Sequence, residues 1–187
     1  MMRRHVVPAV AIGLVAVVAA CHGKAEFPYQ HREAPQACAL DPRFADAGAA
    51  VATPTATAGV DEPCSRDDEC TKGVHGRCVM HGHAASHCSY DACMSDGDCA
   101  AGKTCACQDD GNRCVPSNCR TDAECGGLGC SPTEARSCNS YGGIIGYYCH
   151  TKKDSCTDQS DCGAHSSCDY EPSAGRWVCV DHGVCVG

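Results

Sequence analysis

Large apolar side chains are scarce in this sequence. From Cys64 to Gly187, 124 residues hold no phenylalanine, one leucine, two isoleucines, two methionines, seven valines and one tryptophan. Burying a large aliphatic side chain contributes only about 1.5–3 kcal/mol, so this inventory cannot build a conventional core. The 43% hydrophobic content comes mostly from alanine and cysteine. A doubly wound enzyme, a helical bundle and a multi-pass membrane protein are excluded. Catalytic signatures are missing too. The chain has no G-x-S-x-G, no H-E-x-x-H, no phosphate-binding loop and no thioredoxin-type C-x-x-C. No basic patch offsets the net charge of −8, which disfavours nucleic acid as a partner. We expect a protein that is not an enzyme.

What the chain has is cysteine: 21 of 187 residues, above the roughly 8–10% that marks a disulfide scaffold. The number is odd, whereas a fully oxidised chain uses cysteines in pairs. The N-terminus offers an explanation. Arg3 and Arg4 precede an uncharged run from Val6 to Ala20, too short to span a bilayer comfortably and suited to the apolar core of a signal peptide that covers residues 1–20. Small residues lead directly into Cys21.

Val18-Ala19-Ala20-Cys21 resembles the lipobox of bacterial lipoproteins. That resemblance implies cleavage before Cys21, a diacylglycerol on its thiol and usually an acyl chain (such as palmitate) on its new amine. Several chains give stable anchoring at ~0.8 kcal/mol per buried CH₂. His22 stands where aspartate would signal inner-membrane retention, so the implied destination is the outer membrane. The competing reading is ordinary cleavage after Ala20 and release of a soluble secreted protein. Setting Cys21 aside leaves twenty cysteines, and losing Arg3 and Arg4 leaves 13 basic against 23 acidic residues, a net charge of −10.

Residues 21–63 carry five of the nine prolines and the uncharged stretch AGAAVATPTATAG. They read as a lipidated terminus followed by a flexible tether; as a coil, the 42 residues from His22 to Pro63 would average ~35–40 Å end to end. Cys38 interrupts this segment, with no assigned partner.

A repeat follows, in units 64–92, 93–118, 119–155 and 156–187. They open Cys64-Ser-Arg-Asp-Asp-Glu-Cys70, Cys93-Met-Ser-Asp-Gly-Asp-Cys99, Cys119-Arg-Thr-Asp-Ala-Glu-Cys125 and Cys156-Thr-Asp-Gln-Ser-Asp-Cys162. A third cysteine (Cys78, Cys105, Cys130, Cys168) and a fourth (Cys88, Cys114, Cys149, Cys179) complete each frame. Ser95–Asp98 and Thr121–Glu124 match the capping-box pattern and Asp158–Asp161 is a variant, predicting a single helical turn before each second cysteine. Calcium is the competing role for these acids, but two or three carboxylates per unit fall short of the six to eight oxygens it takes.

The C-x₂-[DQ]-x-[DE]-C-x₄₋₇-C pattern resembles cysteine-rich modules of the Dickkopf N-terminal type and similar repeats of bacterial envelope lipoproteins. The resemblance implies a small disulfide-rich fold: a tandem array of four cysteine-knit modules with short hairpins and single helical turns. Within each unit we expect crossed bridges, Cys64–Cys78 and Cys70–Cys88, Cys93–Cys105 and Cys99–Cys114, Cys119–Cys130 and Cys125–Cys149, Cys156–Cys168 and Cys162–Cys179. Four cysteines allow three pairings, so this remains an expectation. Cys38, Cys107, Cys138 and Cys185 are left for two further bridges.

Two features could carry binding. His75, His81, His83 and His87 crowd one loop and could hold Zn²⁺, Cu²⁺ or Ni²⁺, or form a solvated loop with no metal and no cofactor. Tyr141-Gly-Gly-Ile144-Ile145-Gly-Tyr147-Tyr148 is the one concentrated apolar stretch of the repeats, with a hairpin turn expected at Gly142-Gly143. These residues, and more weakly Trp177, either cover the disulfides or present a patch to an envelope protein or polysaccharide. The functional expectation is a lipid-anchored envelope protein acting in binding or structural display. Metal sequestration, or inhibition of an extracellular hydrolase, are the alternatives.

Overall fold

In the computed structural model, residues 30–44, 62–80, 85–137 and 140–182 are described. Their regular structure is four separate two-stranded antiparallel hairpins. The strands are β1 (Arg77–Val79) with β2 (His87–Ser89), β3 (Lys103–Ala106) with β4 (Arg113–Pro116), β5 (Cys130–Ser137) with β6 (Ser140–Cys149), and β7 (Ser166–Glu171) with β8 (Arg176–Asp181). A single 3₁₀ turn precedes each hairpin: Asp67–Glu69, Asp96–Asp98, Asp122–Cys125 and Gln159–Asp161.

The cysteine spacing acts through the strand register. In every hairpin the third and fourth cysteines stand directly opposite each other: Cys78 and Cys88, Cys105 and Cys114, Cys130 and Cys149, Cys168 and Cys179. Facing pairs do not bond to one another. Each reaches back to the 3₁₀ turn, giving Cys64–Cys78, Cys70–Cys88, Cys93–Cys105, Cys99–Cys114, Cys119–Cys130, Cys125–Cys149, Cys156–Cys168 and Cys162–Cys179. The two bridges of each unit therefore lie side by side, with sulfurs from both within 4.8 Å of one another. Buried half-cystines are the main constituent of the core clusters. A bridge typically contributes about 2–4 kcal/mol, which substitutes for the missing aliphatic core.

The repeated acids hold this frame together. Glu69, Asp98, Glu124 and Asp161, each just before a second cysteine, accept the N–H of the residue after the first: Ser65, Met94, Arg120 and Thr157, at 2.7–2.8 Å. The N–H groups of Met94 and Ser95 hold the Asp98 carboxyl below its ordinary range. The earlier acid of the motif takes the N–H of the third cysteine: Asp67 from Cys78, Asp96 from Cys105, Asp122 from Cys130. In the fourth unit Gln159 replaces it and donates to the carbonyl of Ser166 instead. Capping boxes close at Ser95–Asp98 and Asp158–Asp161. In the third unit Glu124 reaches past Thr121 to Arg120, and the Thr121 side chain makes no cap.

Two expectations need correction. Gly142 and Gly143 do not form the hairpin turn. They lie inside β6, and the strands close between Ser137 and Ser140. Gly143, at φ 81°, serves an irregularity in the ladder, and a Cβ there would strike the Gln108 side chain. Glycine is thus required by a close approach rather than by a turn.

The other correction concerns residues 30–44, assigned above to a flexible tether. They form an extended strap docked across three hairpin units in reverse order. Arg32 exchanges backbone bonds with the third unit, its N–H to the Cys130 carbonyl at 2.9 Å and its carbonyl from Asp122 N–H at 2.8 Å. Ala37 bridges Ser95 of the second unit, and Cys38 N–H donates to the Met94 carbonyl at 2.7 Å. Cys38 is bonded to Cys107, the partner that spacing left open. Phe44 ends the strap on the first unit, stacked on His75 and under the Arg77 guanidinium.

Candidate functional site

Two buried ion pairs join the strap and the units. Arg32 is 6% exposed, and its Nη2 donates to both oxygens of Asp96 at 3.0 and 2.7 Å. Its guanidinium lies over the Tyr147 ring, 4.6 Å from the centroid. Asp96 also accepts Gln36 N–H from the strap and Cys105 N–H from β3. One carboxylate therefore ties the 3₁₀ turn, the hairpin and the strap. Beside it, His31 contacts Asp122 at 2.6 Å. Burial alone would raise the Asp122 carboxyl, but the Cys130 N–H and the His31 ring outweigh it, so the net shift is downward. The second pair is Arg77–Asp91 at 2.6 Å, with both side chains 3% exposed. Asp91 also takes His75 Nδ1 at 2.9 Å and Asn112 N–H at 2.8 Å, which fastens the first unit to the second.

The third and fourth units meet through aromatic rings. Tyr148 stacks on Tyr170 at 3.8 Å, and His150 stacks on Trp177 at 4.6 Å. Trp177 is 2% exposed and donates its indole N–H to the Cys149 carbonyl at 3.3 Å. His150 Nδ1 meets Asp154 at 2.9 Å. Burial lowers the His150 pKa, with Asp154 opposing it only in part.

These contacts decide where the expected binding residues stand. Tyr147 is 3% exposed beneath Arg32 and Trp177 is buried between units, so neither is a surface contact. Tyr148 is occupied by Tyr170, Ile144 is half-buried against a core shared by the second and third units, and Ile145 is exposed. The Tyr141 side chain lies outside the described residues. The apolar stretch thus covers disulfides and joins units; it does not form one open patch.

Of the expected histidine cluster, His75 and His87 can be followed. His75 is engaged by Asp91 and Phe44, His87 lies on β2, and His81 and His83 fall outside the described residues, as does Cys21. Among the described residues, the ligand-type groups lying close enough for a metal are cysteine triplets, and their sulfurs are all committed to disulfides.

Ser167, Asp169 and His182 come together on β7 and beyond β8. They do not make a hydrolytic triad. Both Ser167 and Asp169 address the same ring nitrogen, Nε2, so the carboxylate does not orient the imidazole from its other side. Ser167 is itself only 2% exposed.

Sequence reasoning missed Arg32, Gln36 and Phe44. The one signal available was Cys38, since a cysteine in an exported segment calls for a bonded partner. Nine described bridges mark an exported protein of an oxidising compartment. Among the described residues no helix is long and apolar enough to cross a membrane. No family model, curated protein or solved structure matches the chain.

Proposed function

We propose that this is a non-catalytic envelope lipoprotein: residues 1–20 are a signal peptide, Cys21 is the acylated anchor, and the head is a tandem array of four cysteine-knit modules. Its role is binding or structural display at the cell surface, most consistent with an outer-membrane address. The observation that carries this reading is the strap. A segment between the proposed anchor and the repeats is bonded and ion-paired across three units, an arrangement suited to a rigid head on a lipid. Parity supports it too, because Cys21 is the cysteine whose lipidation leaves an even twenty. The surface a partner would meet includes Ile145 and Met80, not the buried Tyr147 and Trp177.

The test is the mass and partitioning of the full chain expressed in a lipoprotein-processing bacterium. We expect an acylated N-terminal Cys21 and extraction into the detergent phase, with Cys21→Ala shifting the protein to the aqueous phase. An unmodified N-terminus at Cys21, or a signal segment retained through Ala20, contradicts the reading.

A further inference from the structure

Docking of the strap leaves little chain between the proposed anchor and the folded head. Only residues 22–29 separate Cys21 from Gln30, nine peptide units in all. Such a stretch spans at most ~30–32 Å in any conformation. The point where the strap joins the head must therefore lie within that distance of the acyl chains. That point belongs to the third unit, where His31 meets Asp122 and Arg32 pairs with the Cys130 carbonyl.

The same point carries an unusual loop. Gly126-Gly127-Leu128-Gly129 connects the 3₁₀ turn Asp122–Cys125 to β5, and all three of its glycines have left-handed φ, between 64° and 97°. Residues other than glycine rarely adopt that conformation, so the backbone path itself calls for glycine, with open space around Gly126 and Gly127, and leaves a single side chain in the loop. Leu128 is that side chain and is 44% exposed. From Cys125 to Pro132 no residue is charged, in a mature chain of net charge −10. Neutral loops are the ones that can approach a lipid surface without repulsion from anionic headgroups or the cost of burying a charge.

We propose that the Gly126–Gly129 loop is the membrane-facing surface of the anchored head, with Leu128 inserted at the lipid interface. The inference rests on Cys21 being lipidated. Insertion of one leucine is too weak to recruit the protein alone, but the short leash makes the contact intramolecular and raises its effective concentration. The third unit then faces the bilayer, and the anchor holds the head close instead of displaying it at the end of a long tether.

The experiment uses the full lipidated chain in phosphatidylcholine vesicles whose acyl chains are brominated. The indole introduced by Leu128→Trp should lose emission relative to plain vesicles, whereas the wild-type protein, whose Trp177 is 2% exposed, should not. In wild-type protein, a phosphatidylcholine with a headgroup diazirine should label the Cys125–Pro132 peptide above every other peptide of the head, residues 30–187. Vesicle flotation with unquenched Leu128→Trp emission and label elsewhere overturns the proposal and leaves the anchor intact. Failure to float, with no acyl mass on Cys21, removes the anchor and the proposal with it.

Discussion

Replacing Arg32 with alanine tests whether residues 30–44 belong to the folded head. The substitution leaves Asp96, 4% exposed, without the guanidinium that donates to both its oxygens, while the N–H groups of Gln36 and Cys105 remain. Removing one partner of a buried pair costs about 3–5 kcal/mol, because the other charge stays desolvated. The lost stacking on Tyr147 adds about 0.5–2 kcal/mol. Cys38–Cys107 keeps the strap attached, so the loss should appear as local opening rather than global unfolding. The assay is native-state hydrogen exchange at the N–H groups of Cys38 and Asp122, which donate to Met94 and to the Arg32 carbonyl. At tenfold per 1.4 kcal/mol, 3–5 kcal/mol corresponds to roughly a hundred- to a few-thousand-fold faster exchange. Arg32→Met with Asp96→Asn, which removes both charges, should recover most of the protection. Acceleration below about tenfold in Arg32→Ala, equivalent to ~1.4 kcal/mol, would refute the strap's role as a structural element. The exposed pair Arg43–Asp67 is the control, since Arg43→Ala should cost less than about 1 kcal/mol.

Further outcomes follow from the same contacts. Joint replacement of Cys38 and Cys107 by serine opens a link across 69 residues, worth at most about 4 kcal/mol, and less because the three bridges inside the loop already shorten it. Limited tryptic digestion should then cut at Arg32, which is buried and should resist in the wild type. Tyr147→Ser empties a buried site and should cost about 3–5 kcal/mol, lowering the thermal midpoint; an unchanged midpoint would return Tyr147 to the surface. His150 supplies a pH dependence. Burial holds its folded pKa below 6.5, so the neutral form is favoured in the fold. Its contribution is intact above pH 6.5, declines as pH falls below that value and levels off beneath the folded pKa. His150→Phe should flatten this part of the profile between pH 7.5 and 5, and an identical slope in both proteins would remove His150 as the cause.

The cysteine frame was legible because it is written in short spacings. One C-x₅-C with two acids defines a 3₁₀ turn, and the same acids accept the N–H groups that fix the turn and the third cysteine. What the spacing could not convey was anything joined over long distance. Arg32 and Asp96 are 64 residues apart, and Cys38 and Cys107 are 69 apart. The strap has no apolar periodicity because its stability comes from one buried arginine, one disulfide and backbone bonds to other units. Tyr147 and Trp177 mark the same limit. The sequence left open whether they cover disulfides or form a surface patch, and only the packing of Tyr147 beneath Arg32 and of Trp177 against Cys149 and His150 decides for burial. Gly142-Gly143 misled for a related reason, since a bulge pressed against Gln108 needs the same residues as a turn.

Peptide mapping of the unreduced, membrane-extracted protein tests the account most directly. The predicted result is a Cys21 peptide bearing acyl chains, together with a strap peptide joined through Cys38 to the peptide containing Cys107. An unmodified Cys21 peptide, or Cys38 recovered as a free thiol, would contradict it.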